Sequence, residues 1–311
     1  MVKDSERRYL IIAGAYRAGT TTLFRSLAAH PEVVAARIKE PGYFATPELT
    51  PEGTYPLCGS TDFSSYAGLF AAGEGLHVEA TAFYLFDSKA ARRILDELPQ
   101  SKILIVLRDP VRRMASWYQL LSLLRLLPPR TTFDDYVRTQ LDDHRHVDDR
   151  PLIMRCLQHG CYRSYVENYR ALFGDERMLV LLFDDVIQDS TATLRKLAIF
   201  AGVDPEFYET YMPGRENPAR ALRRDAYYDY YAFVIELAKR AVRHSGRATT
   251  LLERTRAAIE PRLFQLMTLV AEPVPISAET NALLRSYYAA DTAALAELLQ
   301  VAIPWATRTS P

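Results

Sequence analysis

The chain of 311 residues has few cysteines, no net charge and no long apolar run, and each shortage narrows what it can be. Cys58, Cys156 and Cys161 are an odd number without a metal-ligand pattern such as CxxC, which fits reduced structural thiols in a reducing compartment. Lysine plus arginine total 38, as do aspartate plus glutamate, so no global field draws the molecule to nucleic acid or a membrane surface. Any anion site must therefore be local. No stretch approaches the roughly 18 apolar residues of a membrane span. The charged start MVKDSERRYL lacks a signal-peptide core, and a cytoplasmic location is the expectation. None of the six histidines forms an HExxH pair, so no metal site is expected. There is no internal repeat and no low-complexity tract.

What is present is a globular composition, 49% hydrophobic and 24% charged, enough to fill the core of one large domain or two small ones. Apolar runs at 9–13, 76–84, 102–110 and 177–186 read as strands, and KILIVL is apolar enough for a parallel sheet covered on both faces. Helical spacing falls at 20–29, 63–70, 88–99, after Pro110, and at 132–143, 160–173 and 190–201. This alternation predicts an α/β fold, a three-layer P-loop-like sandwich around a central parallel sheet, with a mostly helical C-terminal extension. We read 1–311 as a single domain with its α/β core at about 8–215 and a helical portion at about 216–311. A boundary near 215 is the alternative division.

LIIAGAYRAGTTTLF carries a strand through two glycines into a helix. Such a turn points unpaired backbone N–H groups and the positive helix end at one spot, which suits a phosphate; a plain tight turn is the alternative reading. GAYRAGTT has the spacing GxxxxG, yet Thr20 stands where a nucleoside triphosphatase places its lysine. The loop instead offers one internal cation, Arg17, and the hydroxyls of Thr20, Thr21 and Thr22, a set suited to a single terminal phosphate group. In ILIVLRDPVRRMASWY a strand ends on Arg108, Asp109 and Pro110 open a helix, and Ser116 follows two turns later. Arg108 with Ser116 forms a second candidate phosphate grip, with a salt-bridged RDP turn as the alternative.

These two stretches resemble the sulfotransferases that use 3'-phosphoadenosine 5'-phosphosulfate (PAPS), in particular the heparan sulfate sulfotransferase-like branch and its bacterial members. IIAGAYRAGTTTLFRSLAAHP resembles that family's 5'-phosphosulfate loop, with KEPGYF following it, and LRDPVRRMASWY resembles its 3'-phosphate motif. FDDYV, LVLLFDDV and the terminal LRSYYAADTAALAELL with Trp305 extend the similarity in the family's order along nearly the whole chain. The resemblance implies an enzyme that moves a sulfonate group from PAPS to a hydroxyl, or an amine, of a carbohydrate or small-molecule acceptor, releasing adenosine 3',5'-bisphosphate (PAP). It places Arg17, Ala18, Gly19, Thr20, Thr21 and Thr22 on the 5' phosphate and sulfonate, and Arg108 and Ser116 on the 3' phosphate. Arg17 replaces the family's usual lysine, which keeps the charge but removes a titratable proton donor. Glu40 in KEPGYF matches the carboxylate taken as general base. The family's EKTPAY is EATAFY here, so Ala80 replaces a lysine and Lys39 is the candidate substitute if it points inward. Asn217, with Arg215 and Arg220, resembles a loop that closes over the 3' phosphate and adenine.

Sulfonyl transfer is an in-line displacement, so catalysis needs alignment and neutralisation of charge on the leaving phosphate oxygen. Beside Glu40, His77 is a second candidate base, with a structural core histidine as the alternative. Lys39 and Tyr84 are candidate acceptor contacts, and Glu79 is an acceptor contact or secondary base, with a structural role as the alternative. DDHRHVDDR (142–150) reads as a solvated charged loop, and AYYDYYAF (226–233) either lines an acceptor pocket or packs one side of a helix. Two further function classes stay open at this stage: a P-loop small-molecule kinase, which Thr20 disfavours, and a nucleotide-binding module without catalytic activity.

Overall fold

Five aliphatic runs form the central sheet of the computed structural model, which describes residues 7–50, 54–142, 154–211, 220–222, 268–270 and 272–308. The strands are β1 (Arg8–Gly14), β2 (Val33–Ala35), β3 (Leu76–Ala80), β4 (Lys102–Leu107) and β5 (Met178–Leu182). They pair in the order β2-β3-β1-β4-β5, every pairing parallel. Leu10, Ile11, Ile12 and Ile103 through Leu107 are all fully buried, as a sheet covered on both faces requires. Truncating one of them, for example Leu104→Ala, costs roughly 2–5 kcal/mol through lost transfer energy and the cavity left behind.

The helices follow the predicted alternation: α1 (Thr20–Ala28), α2 (Phe63–Ala67), α3 (Ser88–Glu97), α4 (Pro110–Leu123), α5 (Phe133–Asp142) and α6 (Arg163–Phe173). After β5 come α7 (Phe183–Gln188), α8 (Ser190–Ala201) and α9 (Phe207–Thr210), and α10 (Ala278–Leu299) lies near the C-terminal end. Asp87 caps α3 by accepting from the Lys89 and Ala90 amides, and Asp189 caps α8 by accepting from Ala192. From β1 the chain winds toward β2 and β3, whereas from β4 it continues to β5. The loops leaving the C-terminal ends of β1 and β4 thus part in opposite directions, the arrangement that opens a ligand crevice in parallel α/β sheets.

The structure redraws several boundaries. β3 stops at Ala80, because residues 81–86 fold into a turn that packs Leu85 and the Ala82 carbonyl against Gly14, where even a Cβ would come within 2.6 Å. β5 stops at Leu182: Phe183, Asp184 and Asp185 open α7, where two acidic residues suit the positive helix end. β2 is a three-residue edge strand that the sequence pattern does not announce. In the C-terminal portion read as mostly helical, β6 (Arg220–Leu222) pairs antiparallel with β7 (Thr268–Val270).

Backbone contacts divide the chain into two compact units. One comprises Met1–Trp117, Thr132–Asn217 and Pro275–Pro311 and contains the five-stranded sheet. The other comprises Tyr118–Thr131 and Pro218–Val274 and contains the β6–β7 pair, with the Gln119 amide donating to the Glu272 carbonyl at 2.7 Å. Among the described residues no helix is long and apolar enough to cross a membrane, and no group of three or more metal-ligating side chains gathers.

Candidate active site at the C-terminal edge of the sheet

Residues 14–20 form a tight loop between β1 and α1 whose shape depends on two left-handed positions, Arg17 at φ 62° and Gly19 at φ 87°. Gly19 must be glycine on two grounds. Its φ disfavours a side chain, and a Cβ there would sit 2.7 Å from the Phe183 ring. Gly19 is also the N-cap of α1 and provides no side-chain cap, so the first-turn amides of α1 are left for another acceptor. Thr20 is buried, while Thr21 and Thr22 are partly exposed.

The loop after β4 meets this one directly. The Arg108 guanidinium donates to the Arg17 carbonyl at 2.9 Å, and Arg17 Nε donates to Ser116 Oγ at 3.0 Å across 99 residues of sequence. The two candidate phosphate grips therefore meet at one place on the sheet edge, called the crevice below. Among the described residues neither Arg17 nor Arg108 forms an ion pair with a carboxylate. Burial lowers the Arg17 pKa, and burial together with the Arg17 charge lowers that of Arg108 to about 10. Two neighbouring half-buried cations, the charge of Arg108 disfavoured by that of Arg17, are an arrangement that an anion would relieve.

The candidate acceptor residues follow β2 and β3. Glu40 has a left-handed backbone, φ 61°, held by its amide donating to the Ala80 carbonyl at 2.8 Å. Its carboxylate pairs with Lys39 Nζ at 2.7 Å, both side chains remaining partly exposed. Glu79 is fully buried. Its Oε2 accepts from Thr81 Oγ1 at 3.1 Å, while Oε1 has no hydrogen-bond partner among the described residues. Burial pushes its pKa up to about 8, against the pull of the Thr81 and Tyr84 hydroxyls and the Lys39 ammonium. Lys39 thus pairs with Glu40 and acts electrostatically on Glu79.

Two candidates have other surroundings. His77 is the second residue of β3, 1% exposed, with its ring packed against Tyr9 and Phe70 at centroid distances of 5.3 and 5.1 Å. It stands three residues, about 10 Å along the strand, before the edge where the loops gather, so the structure does not bring it into the crevice. Tyr84 is fully buried. Its hydroxyl accepts from the Phe44 amide at 3.1 Å and acts on the Glu79 carboxyl, so it ties the KEPGYF turn to the end of β3. Asn217, Arg215, 142–150 other than Asp142, and 226–233 lie outside the described residues; Arg220 is described only as backbone in β6.

Several residues of the crevice carry no signal of their own in the sequence. The Arg108 guanidinium lies 4.8 Å over the Phe183 ring, which also underlies Gly19, so one aromatic side chain supports both loops. The Tyr162 hydroxyl donates to the Arg108 carbonyl at 2.8 Å. Asp109 is 1% exposed and receives both guanidinium nitrogens of Arg285, at 3.0 and 2.8 Å. The only local hint of this contact was an arginine in the terminal LRSYY segment.

The sulfotransferase domain family model matches residues 7–227, most of the chain. The chain belongs to the sulfotransferase family. It is 23% identical over 300 residues to the bifunctional heparan sulfate N-deacetylase/N-sulfotransferase 4 of Mus musculus, covering 95% of this chain and 30% of that protein. It is 24% identical over 240 residues to the bifunctional heparan sulfate N-deacetylase/N-sulfotransferase 3 of Homo sapiens, covering 76% of this chain and 26% of that protein. The chain thus spans under a third of the length of these relatives. The crystal structure of a sulfotransferase from Alicyclobacillus acidocaldarius shares the fold, with a TM-score of 0.68 and 23% identity over 97% of this chain and 99% of the other. The glycine loop, the RDP turn and the KEPGYF turn all lie within the family match.

Proposed function

We propose that this sulfotransferase takes PAPS as donor and transfers its sulfonate group to a hydroxyl of a carbohydrate or small-molecule acceptor, with amines as lesser acceptors. The observation that carries this reading is the single crevice in which Arg17 and Arg108 meet with no carboxylate ion pair among the described residues. A bisphosphorylated nucleotide supplies an anionic group for each grip. The loop amides, Arg17 and Thr20 to Thr22 take the 5' phosphosulfate end, and Arg108 with Ser116 takes the 3' phosphate. A kinase reading lacks support, since Thr20 occupies the position of the triphosphate lysine.

The chemistry follows from charge flow. As the acceptor oxygen bonds to sulfur, the bond from sulfur to the bridging phosphate oxygen breaks, and negative charge collects on the departing PAP. Arg17 and the open amides of α1 meet that charge where it develops. Arg17 does so as a fixed cation and donates no proton to the leaving group. The proton lost by the acceptor hydroxyl passes to the Glu40 carboxylate, a step worth roughly a hundred- to ten-thousandfold. Lys39 holds that carboxylate in place, and Glu79 stands buried behind it with its Oε1 unpartnered among the described residues.

The test is an incubation with PAPS and a panel of hydroxyl and amine acceptors, with mass detection of an added sulfonate. A sulfonated product that requires Arg108 and Glu40 supports the reading. PAP binding without transfer to any acceptor would favour a nucleotide-binding module, and neither binding nor transfer would remove PAPS from the account.

A further inference from the structure

Arg108 has an acidic neighbour in sequence that is well placed to spoil a phosphate site. The Asp109 carboxylate is buried and acts electrostatically on Arg108. Left unpaired, it would turn to the nearest cation and occupy the guanidinium that a phosphate needs. The structure shows it engaged on several sides. Its Oδ1 accepts from the Val111 amide at 3.0 Å, and Arg285 of α10 grips both oxygens in a two-pronged contact at 3.0 and 2.8 Å. Arg308 adds a third approach at 3.6 Å and donates to Asp184 at 3.0 Å. Asp184 directly follows Phe183, the ring beneath Gly19 and Arg108. Both arginines come from the C-terminal end of the chain, 176 residues beyond Asp109 in the case of Arg285.

We propose that Arg285 and Arg308 are positioning residues of the donor site: by holding the carboxylates of Asp109 and Asp184 they keep the Arg108 guanidinium available for the 3' phosphate. The inference rests on the PAPS reading above and adds a selectivity function for the C-terminal arginines. They touch neither reacting atom, and their effect is confined to one end of the donor. Arg285 is the principal member because it makes the two-pronged contact with a fully buried partner. Arg308 is the lesser member, being more exposed and more distant from Asp109.

The experiment titrates the full chain with PAP and, separately, with adenosine 5'-phosphate, which lacks the 3' phosphate. The parent is expected to prefer PAP. Arg285→Gln is expected to reduce that preference by about 10- to 100-fold while leaving the affinity for adenosine 5'-phosphate unchanged. Adding Asp109→Asn removes the competing charge and is expected to restore most of the preference. A mainly structural role would weaken both ligands together, with or without the second substitution. Either that pattern or an unchanged preference overturns the inference. Should Arg285→Gln prove insoluble, Arg308→Gln is expected to show the same selective loss at smaller size, and no loss there is equally decisive against it. A parent that binds adenosine 5'-phosphate but shows no preference for PAP contradicts the PAPS reading itself, a result separable from any outcome in the variants.

Discussion

The proposed donor side and the proposed acceptor side lie along one edge of one sheet, yet their electrostatics are opposite. On the donor side, after β1 and β4, Arg17 and Arg108 sit together with their charges disfavoured by burial and without a carboxylate ion pair among the described residues. On the acceptor side, after β2 and β3, Lys39 and Glu40 are already paired at 2.7 Å, and Glu79 is driven toward its neutral form. The first region is prepared for a ligand that brings its own negative charge. The second is balanced without a ligand and is suited to moving a proton. Left-handed backbone occurs at the key residue of each, Arg17 and Glu40, consistent with strain being retained where side-chain direction matters.

Substitutions can break this contrast. The largest effect is expected at Glu40: Glu40→Gln should lower kcat by about 100- to 10,000-fold with PAP affinity unchanged, measured by steady-state kinetics and calorimetry. A matching loss of PAP affinity would merge the two regions. Arg17→Ala should lower kcat by about 100- to 1,000-fold through loss of charge stabilisation on the leaving phosphate, and single-turnover rates with saturating donor would show it. Gly19→Ala sharpens the donor side. Its positive φ and the Phe183 contact should together cost roughly 1–3 kcal/mol, seen as a lower Tm, with weaker PAP binding.

The smallest effect belongs to Glu79. Its pKa is raised in the folded state to about 8, so the folded protein holds a proton that the unfolded chain releases near its ordinary value. The associated stability is fully present below the unfolded pKa and is lost as pH rises through about 8. The Tm of the parent should therefore fall as pH is raised from about 5 to about 9, and Glu79→Gln should flatten that fall. Identical profiles for parent and variant would mean that Glu79 is ionised and paired in the folded protein.

The parts of the site legible in the sequence are those whose chemistry is local. Glycines that bracket a basic residue, an arginine closing a buried strand and KEPGYF each carry a signal within a dozen residues, and the structure gathers Arg17, Arg108 and Ser116 as that signal implies. Nearness to Glu79 in sequence is what suggests His77 as a base. Strand geometry sets it back from the edge and into the Tyr9–Phe70 cluster. Phe183 was hidden because LVLLF reads as one continuous apolar run, although its last residue belongs to a helix. The Asp109–Arg285 contact depends on chain closure over 176 residues, which no local pattern encodes. For the fold, long buried strands such as β4 were plain, whereas the three-residue β2 and the β6–β7 pair were too short to register.

The central claim is that Arg17 and Arg108 together grip opposite ends of one bisphosphorylated nucleotide, and calorimetric titration with PAP of the parent and of Arg108→Ala tests it most directly. The account predicts saturable binding to the parent and a loss of about 10- to 100-fold in the variant, as expected for a charged hydrogen-bonding partner removed from a buried site. Equal affinity in the two proteins, or no binding to the parent, would contradict it.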